Sequence, residues 1–243
     1  MLDRNKTIGI VLGHAGAKST IERHIPFWFK SCKELVIVIP EDHSLDIQDD
    51  SKITVYKFVP NAIHKPAYSV ATSVRCHEAM KIALKNHPAE YYILFEWDSL
   101  CWKQIPDDMI PDDNEVTACK WDNEPVSPIK GISFKSEYYL HFPHIYSKES
   151  LEKISKTITK SVPYETEHGY TDRFVGAAAI AAGLKVKNTI EIGRAYSWCD
   201  VCLSKFPRRV NECIEGIKNG VILTHGIKDA ETLNHILSRV NLE

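Results

Sequence analysis

The length, composition and charge of this chain exclude several classes of protein. It has 243 residues and a formal net charge of −2, so no broad electrostatic attraction to nucleic acid or to an anionic membrane is expected. Its hydrophobic content of 44% suffices for a sizeable core, and we expect one domain over residues 1–243. No run reaches the ~20 apolar residues of a membrane span, and no apolar leader precedes the first strand. We therefore expect a cytoplasmic protein without an integral membrane segment, and the pattern gives no indication of oligomeric state.

Strands and helices alternate along the first hundred residues, which is typical of an α/β fold with a mostly parallel sheet. The run from Leu35 to Ile39 is so rich in β-branched residues that we expect it to be buried on both faces. Ser19 or Thr20 is the expected N-cap of the first helix, and Pro26 is expected to kink that helix or restart it. The predicted elements are strands at 7–12, 35–39, 53–59 and from Tyr91, and helices at 19–31 and 72–86.

The second half of the chain continues this alternation with longer polar loops. Gly183 stands where a glycine ends a helix, directly after an alanine-rich helical stripe. An apolar strand that begins at Val221 is expected to deliver His225 into a loop. The predicted segments are loops at 103–114 and 122–136, a strand at 116–121, a core or cleft-wall segment at 138–144, a helix from Tyr170 and a strand at 221–224.

The most informative motif is a pair of carboxylates at the end of a buried strand. The apolar run that starts at Tyr91 ends in Glu96-Trp97-Asp98. Ligands of open α/β sheets bind beyond the carboxyl ends of the strands, and carboxylate oxygens suit Mg²⁺ or Mn²⁺. The motif predicts a metal site for a phosphate-bearing substrate. The alternative is that both acids only open a solvated turn.

Three further groups allow both a chemical and a structural interpretation. Asp172 falls in the first turn of its helix, where it can be an ionised general base or a simple partner of the helix dipole. His225 follows a short strand, where a neutral imidazole is an acceptable Mn²⁺ ligand or a structural residue. Cys199 and Cys202 could form half a zinc site or a redox pair, but structural thiols are favoured because no second Cys/His pair has zinc-finger spacing.

The order of these features resembles the nucleotide-sugar-dependent glycosyltransferases of the GT-A fold, most closely the inverting glycosyltransferase family 2. The resemblance covers nearly the whole chain. It implies a GT-A-like, Rossmann-like mixed sheet, mostly parallel and flanked by helices. Residues 1–100 would form the nucleotide-sugar-binding half, and residues 101–243 would form the acceptor-binding half.

The resemblance also implies a role for each matching residue. Asp98 would bind Mn²⁺ or Mg²⁺ with His225, while Glu96, which replaces the first Asp of the family motif, would contact the donor ribose or reach the ion through water. Asp172 matches the catalytic base, although Thr171 replaces the Glu that precedes it in the family. The residues implied for the nucleotide-sugar site are Gly13, His14, Glu41, Asp42, Arg75, Glu96 and Trp97.

The expected function is transfer of a sugar from a nucleotide-diphosphate donor to a hydroxyl of a glycan or small acceptor, with inversion at the anomeric carbon. Aromatic rings pack on sugar faces, but tryptophan is also common in half-buried structural positions. The aromatic candidates for an acceptor site are Trp97, Trp102, Trp121, Trp198 and Tyr170.

Two other functions stay open from the sequence. A sugar-phosphate nucleotidyltransferase would use a glycine-rich basic loop after the first strand, and the residues from Gly13 to Lys18 are a short form of one. A catalytically silent nucleotide-sugar-binding module is the second alternative, because Glu96 and Thr171 depart from the family pattern.

Overall fold

In a computed structural model, the protein is an α/β structure whose helices flank a mixed, seven-stranded sheet. The structure describes residues 1–13, 17–41, 45, 47, 51–58, 68–122, 138–161 and 171–241. The strands are β1 (Thr7–Leu12), β2 (Glu34–Pro40), β3 (Ile53–Phe58), β4 (Tyr91–Glu96), β5 (Leu100–Cys101), β6 (Glu115–Asp122), β7 (Tyr138–Ser147), β8 (Lys185–Asn188), β9 (Ala195–Val201) and β10 (Leu223–Ile227). The helices are α1 (Lys18–Trp28), α2 (Tyr68–Asn86), α3 (Lys148–Ser161), α4 (Thr171–Ala181), α5 (Pro207–Lys218) and α6 (Ala230–Leu237).

The large sheet has the strand order β3-β2-β1-β4-β7-β6-β8. Its neighbouring strands are parallel except for β7, which runs antiparallel to both β4 and β6. A second sheet of three strands has the order β5-β10-β9. Strands from both predicted halves therefore share one sheet, because β7 of the second half pairs with β4 of the first.

The side chains of the central strands point alternately into two apolar clusters, as the two-residue period of a strand requires. Ile10 and Leu94 face the side that α2, α3 and α4 cover. Val11 and Phe95 face the opposite side, where Trp28 of α1 packs. Helices cover both faces, so the apolar runs of β1 and β4 are buried throughout or nearly so. A third cluster joins the small sheet to α5 and α6.

The predicted α/β architecture with a mixed, mostly parallel sheet is confirmed, and the strands at 7–12, 35–39, 53–59, 91–96 and 116–121 lie where they were expected to within a residue or two. The helix ending before Gly183 is also confirmed, with Gly183 at φ 70°. Such a positive φ favours glycine because a Cβ would clash with the backbone.

Two expectations were wrong. Ser19 and Thr20 lie inside α1, whose N-cap is Ala17 without a side-chain hydrogen bond. His225 lies within β10 and not in a loop after it. The segment 138–144, expected to be core or cleft wall, belongs to the long strand β7, and its Leu140, Phe142 and His144 are buried.

Candidate functional site

Three side chains converge where β4 and β10 approach each other. The ligand atoms of Glu96, Asp98 and His225 all lie within 4.8 Å of one another. His225 Nε2 is 3.1 Å from Glu96 Oε2 and 3.3 Å from Asp98 Oδ1. Because β4 is parallel to β1, this metal triad stands at the carboxyl edge of the sheet, as the sequence predicted.

The turn that follows β4 brings the two acids together. Ser99 N–H donates to Glu96 O over 3.0 Å, and the Ser99 hydroxyl bonds both the N–H and the carbonyl of Glu96. The imidazole of His24 donates to Trp97 O, and the indole of Trp28 donates to Ser99 O. The carboxylates meet because α1 and Ser99 hold this turn, and not because they alternate along a strand.

A bulge in β10 ties His225 to the same turn. The pairing of β10 with β9 shifts between His225 and Ile227, and Gly226 between them has φ 94°. Such bulges re-aim the neighbouring side chain. The N–H groups of Gly226 and Ile227 both donate to Asp98 O, over 3.2 and 3.1 Å. The bulge therefore fixes the acid and the imidazole relative to each other.

Asp172 belongs to the same cluster through its electrostatics. Burial raises the pKa of Asp172, and the carboxylates of Glu96 and Asp98 raise it further to about 8 against the opposing effect of His225. Asp172 lies in the first turn of α4, which packs along β7. The carboxyl group that the sequence predicted as a base thus lies within electrostatic range of the metal triad.

The negative charges of the neighbouring acids also raise the pKa of His225. Burial alone would lower the pKa of this imidazole, but Asp98 and Glu96 together raise it well above its usual value. The imidazolium is therefore the positive charge that these acids share in this structure. A bound cation would replace that proton, since metal ligands bind in their deprotonated forms.

The donor set fits a divalent ion. Two carboxylates with one imidazole suit Mn²⁺ and, less well, Mg²⁺. Within the described part of the chain, Asp172 Oδ1 is inaccessible to solvent and has no hydrogen-bond partner. Asp98 Oδ1 is equally inaccessible, and His225 Nε2 lies 3.3 Å from it. Buried carboxylate oxygens normally have a partner, so the Asp172 oxygen supports a metal or substrate at this point.

Two residues that shape the site, Lys228 and Gly226, were not predicted from the sequence. Lys228 Nζ lies 3.0 Å from Asp200 Oδ1 and 3.9 Å from Asp98 Oδ2. The Lys228 carbonyl accepts a hydrogen bond from Thr20 of α1. In the sequence, only its position three residues after His225 indicates a role for Lys228, and only its place next to a candidate ligand indicates one for Gly226.

The predicted donor-binding residues have different outcomes. Arg75 is buried in α2, directly before Cys76, whose pKa burial raises, Arg75 lowers, and Glu96 and Asp172 raise. Gly13 is buried at the end of β1, where a Cβ would lie 2.6 Å from Ile39 Cγ2, so its packing alone requires glycine.

Other predicted residues lie further from the metal triad or outside the described residues. Glu41 is exposed at the end of β2, and among the described residues it makes no contact with the metal triad. Trp97 is half-buried against the cluster on the α1 side. His14, Asp42 and Tyr170 lie outside the described residues.

Trp102 and Cys202 have structural surroundings. Trp102 is fully buried, and its indole donates to the Thr224 hydroxyl over 3.0 Å. The Cys202 thiol lies 3.3 Å from the Ser204 hydroxyl, whereas the side chain of Cys199 is outside the described part. Trp102 is therefore a core residue and not part of an acceptor site.

In comparisons with known proteins, no protein-family model matches the chain, and no curated protein matches its sequence. Within the described ranges, no helix combines the length and the apolar character needed to cross a bilayer. The geometry of the cluster at the carboxyl edge is therefore the main indication of function.

Proposed function

We propose that the protein is a metal-dependent glycosyltransferase of the GT-A fold that moves a sugar from a nucleotide-diphosphate donor to a hydroxyl acceptor with inversion. The observation that carries this proposal is the convergence of Glu96, Asp98 and His225 beside Asp172. The mixed, mostly parallel sheet with this cluster at its carboxyl edge agrees with the proposal. Cytoplasmic location stays a prediction.

Asp98 and His225, with Glu96 beside them, are the residues that would hold Mn²⁺ or Mg²⁺. When bound, the ion would supply positive charge for the departing diphosphate. Lys228 adds a second positive charge next to Asp98. We infer that Lys228 binds a donor phosphate, because a lysine ammonium recognises phosphate as a compact charge. Arg75, which is buried in α2, would help to hold the donor.

Asp172 is the proposed base that removes the proton of the acceptor hydroxyl. Its raised pKa means that the carboxyl keeps its proton at neutral pH while negative charges surround it. Cationic charge at the metal triad would lower this pKa and release the carboxylate for catalysis. A base whose pKa lies near the working pH takes a proton most effectively. Direct attack assisted by this base gives the inverted product.

A screen of common nucleotide sugars tests the proposal. Calorimetry and donor-hydrolysis assays are run with and without Mn²⁺ on the wild type, on Asp98→Ala and on Asp113→Asn, an exposed acid away from the metal triad. We expect one diphosphate sugar to bind and to be hydrolysed only with Mn²⁺, and we expect Asp98→Ala alone to abolish both.

Each contrary result has a defined meaning. Equal Mn²⁺ affinity in Asp98→Ala and wild type rejects the metal site. Turnover that requires a nucleoside triphosphate and a sugar phosphate identifies a nucleotidyltransferase. Metal-dependent binding of a nucleotide sugar without hydrolysis or transfer to any acceptor identifies a silent binding module.

A further inference from the structure

A row of aromatic rings leads from the metal triad to the protein surface. The ring of His141 lies 5.6 Å from that of His225, at 78° to it. Trp121 follows at 6.1 Å from His141, and Trp198 lies 5.5 Å beyond Trp121. We call His141, Trp121 and Trp198 the aromatic wall. Its inner end touches a proposed metal ligand, and its outer end is exposed.

Strand pairing in both sheets assembles the aromatic wall. His141 of β7 faces Cys119 of β6, two residues before Trp121. In the small sheet, Ser197 of β9 is the partner of His225, and Trp198 is the next residue. The Ser197 hydroxyl lies 3.3 Å from His141 Nδ1, joining the two sheets at this point. The wall therefore rests on strands and not on loops.

The outer ring of the wall is exposed but held in place. The Arg209 guanidinium lies over Trp198 at 4.6 Å from the ring centroid and over Phe206 at 4.3 Å. Its Nη1 donates to Asp200 O over 3.2 Å. Trp198 is 36% exposed and Phe206 is 37% exposed. Arg209 thus fixes the orientation of a large apolar ring that stays open to solvent.

The Asp172 carboxylate is within electrostatic range of the wall. Burial raises the pKa of the Cys119 thiol, Ser197 and the Trp121 indole lower it, and the Asp172 carboxylate raises it. A molecule on the wall would have its inner end at His225, in the metal triad.

We propose that the aromatic wall binds a pyranose ring of a carbohydrate acceptor, so that a sugar hydroxyl is directed toward Asp172. Flat rings offer the C–H face of a pyranose a matching apolar surface, and His141 and Ser197 offer polar groups at its edge. The role of the directed hydroxyl depends on the proposed function, whereas the binding of sugar by the wall does not. The acceptor class is a glycan, in preference to a lipid alcohol or a protein hydroxyl.

The first experiment measures sugar binding without donor. Tryptophan fluorescence and chemical-shift titrations use methyl pyranosides and β-linked disaccharides of glucose, galactose, mannose and N-acetylglucosamine. The variants are Trp198→Ala, Trp198→Phe and the control Leu237→Ala, which alters an equally exposed apolar side chain on α6. We expect Trp198→Ala to weaken binding of the preferred sugar about tenfold, and we expect Trp198→Phe and Leu237→Ala to stay near wild type.

The second experiment separates transfer from donor hydrolysis. Trp198→Ala is expected to lower kcat/KM for transfer to the preferred sugar about tenfold while hydrolysis of the donor by water changes less than about twofold. Trp198-dependent sugar binding without any donor turnover would support the wall and reject the proposed function. Equal sugar binding and equal transfer in Trp198→Ala and wild type would overturn the wall, as would efficient transfer to a non-sugar alcohol that ignores Trp198.

Discussion

The two edges of the large sheet carry charge in opposite ways. At the amino edge, a cavity of about 900 Å³ is lined by lysines and acids of mixed sign, and Lys6 is paired with Glu90 at 2.8 Å in an exposed salt bridge. At the carboxyl edge, Glu96 and Asp98 lie 3.1 and 3.3 Å from His225 Nε2, and both raise the pKa of the buried Asp172. Surface pairs such as the first cost little to form and contribute little.

In this protein, buried carboxylates gathered around His225 are a better guide to the candidate site than the size of a cavity. Paired and solvated charges at the amino edge need no ligand. Several carboxylates gathered in buried surroundings disfavour one another's ionised forms, and a cation relieves that cost. The carboxyl edge is therefore the candidate functional edge even though the amino edge holds a large cavity.

The largest expected effect is that of Asp172→Asn, which removes the proposed base and keeps the shape. We expect sugar transfer to fall about a thousandfold, with Mn²⁺ affinity within a few fold of wild type by calorimetry. The matched change at the amino edge is Glu90→Gln, which should leave both quantities unchanged. Loss of transfer in Glu90→Gln, or full activity in Asp172→Asn, would contradict the contrast between the edges.

Gly226→Ala tests the bulge that holds Asp98. A positive φ of 94° strains any residue with a Cβ, and we expect the free energy of unfolding to fall by about 1 kcal/mol. We expect the rate of sugar transfer to fall about a hundredfold, because the two backbone N–H groups that donate to Asp98 O would move. Gly183→Ala, at φ 70° with no atom within 4 Å of the added Cβ, should lose similar stability and no activity. Equal activity losses in the two variants would remove the special role of the bulge.

Lys228→Ala tests the lysine at the carboxyl edge, and Lys6→Ala is the matching change at the amino edge. We expect the KM for the donor to rise about tenfold with a smaller change in kcat, since Lys228 is the ammonium next to Asp98. Lys6→Ala removes a paired lysine at the amino edge and should change neither parameter. Steady-state kinetics over a range of donor concentrations gives the answer, and an unchanged KM in Lys228→Ala would end the phosphate-binding role.

The smallest effect concerns His144, a buried histidine of β7. His144 donates to Leu140 O and accepts from the Tyr146 hydroxyl, and burial lowers its pKa to about 4. Because the unfolded state takes up a proton near pH 6.5 and the folded state does not, stability is full above this pH and is lost as the pH falls toward 4. Between pH 7 and 5.5 the loss should be roughly 1 kcal/mol.

Denaturant titrations of the wild type and of His144→Gln measure this dependence. The variant cannot be protonated, so its free energy of unfolding should change less over the same pH interval. Parallel pH curves for the two proteins would show that His144 does not carry the acid sensitivity.

The strands were more predictable than the helix ends. The continuous apolar runs of β1, β2 and β4 can only be accommodated by burial on both faces, so their positions follow from the sequence. Strand β7 was missed because it mixes polar and aromatic residues and contains Pro143. The pairing of β7 with β6 shifts between Thr117 and Cys119. Whether a strand can accommodate such a shift and a proline depends on its neighbouring strands, which the local sequence does not reveal.

The position of Glu96 and Asp98 at the end of a buried strand follows from the sequence alone, because the period of a strand and the burial of apolar residues are local properties. The tertiary structure is needed to bring His225, 127 or more residues away, within 3.3 Å of both acids, to place Asp172 within electrostatic range of them, and to expose Trp198 while burying Trp102. These outcomes depend on the pairing of β10 with β5 and β9 and on the bulge at Gly226. Long-range pairing is set by the packing of the whole sheet, which no local pattern specifies.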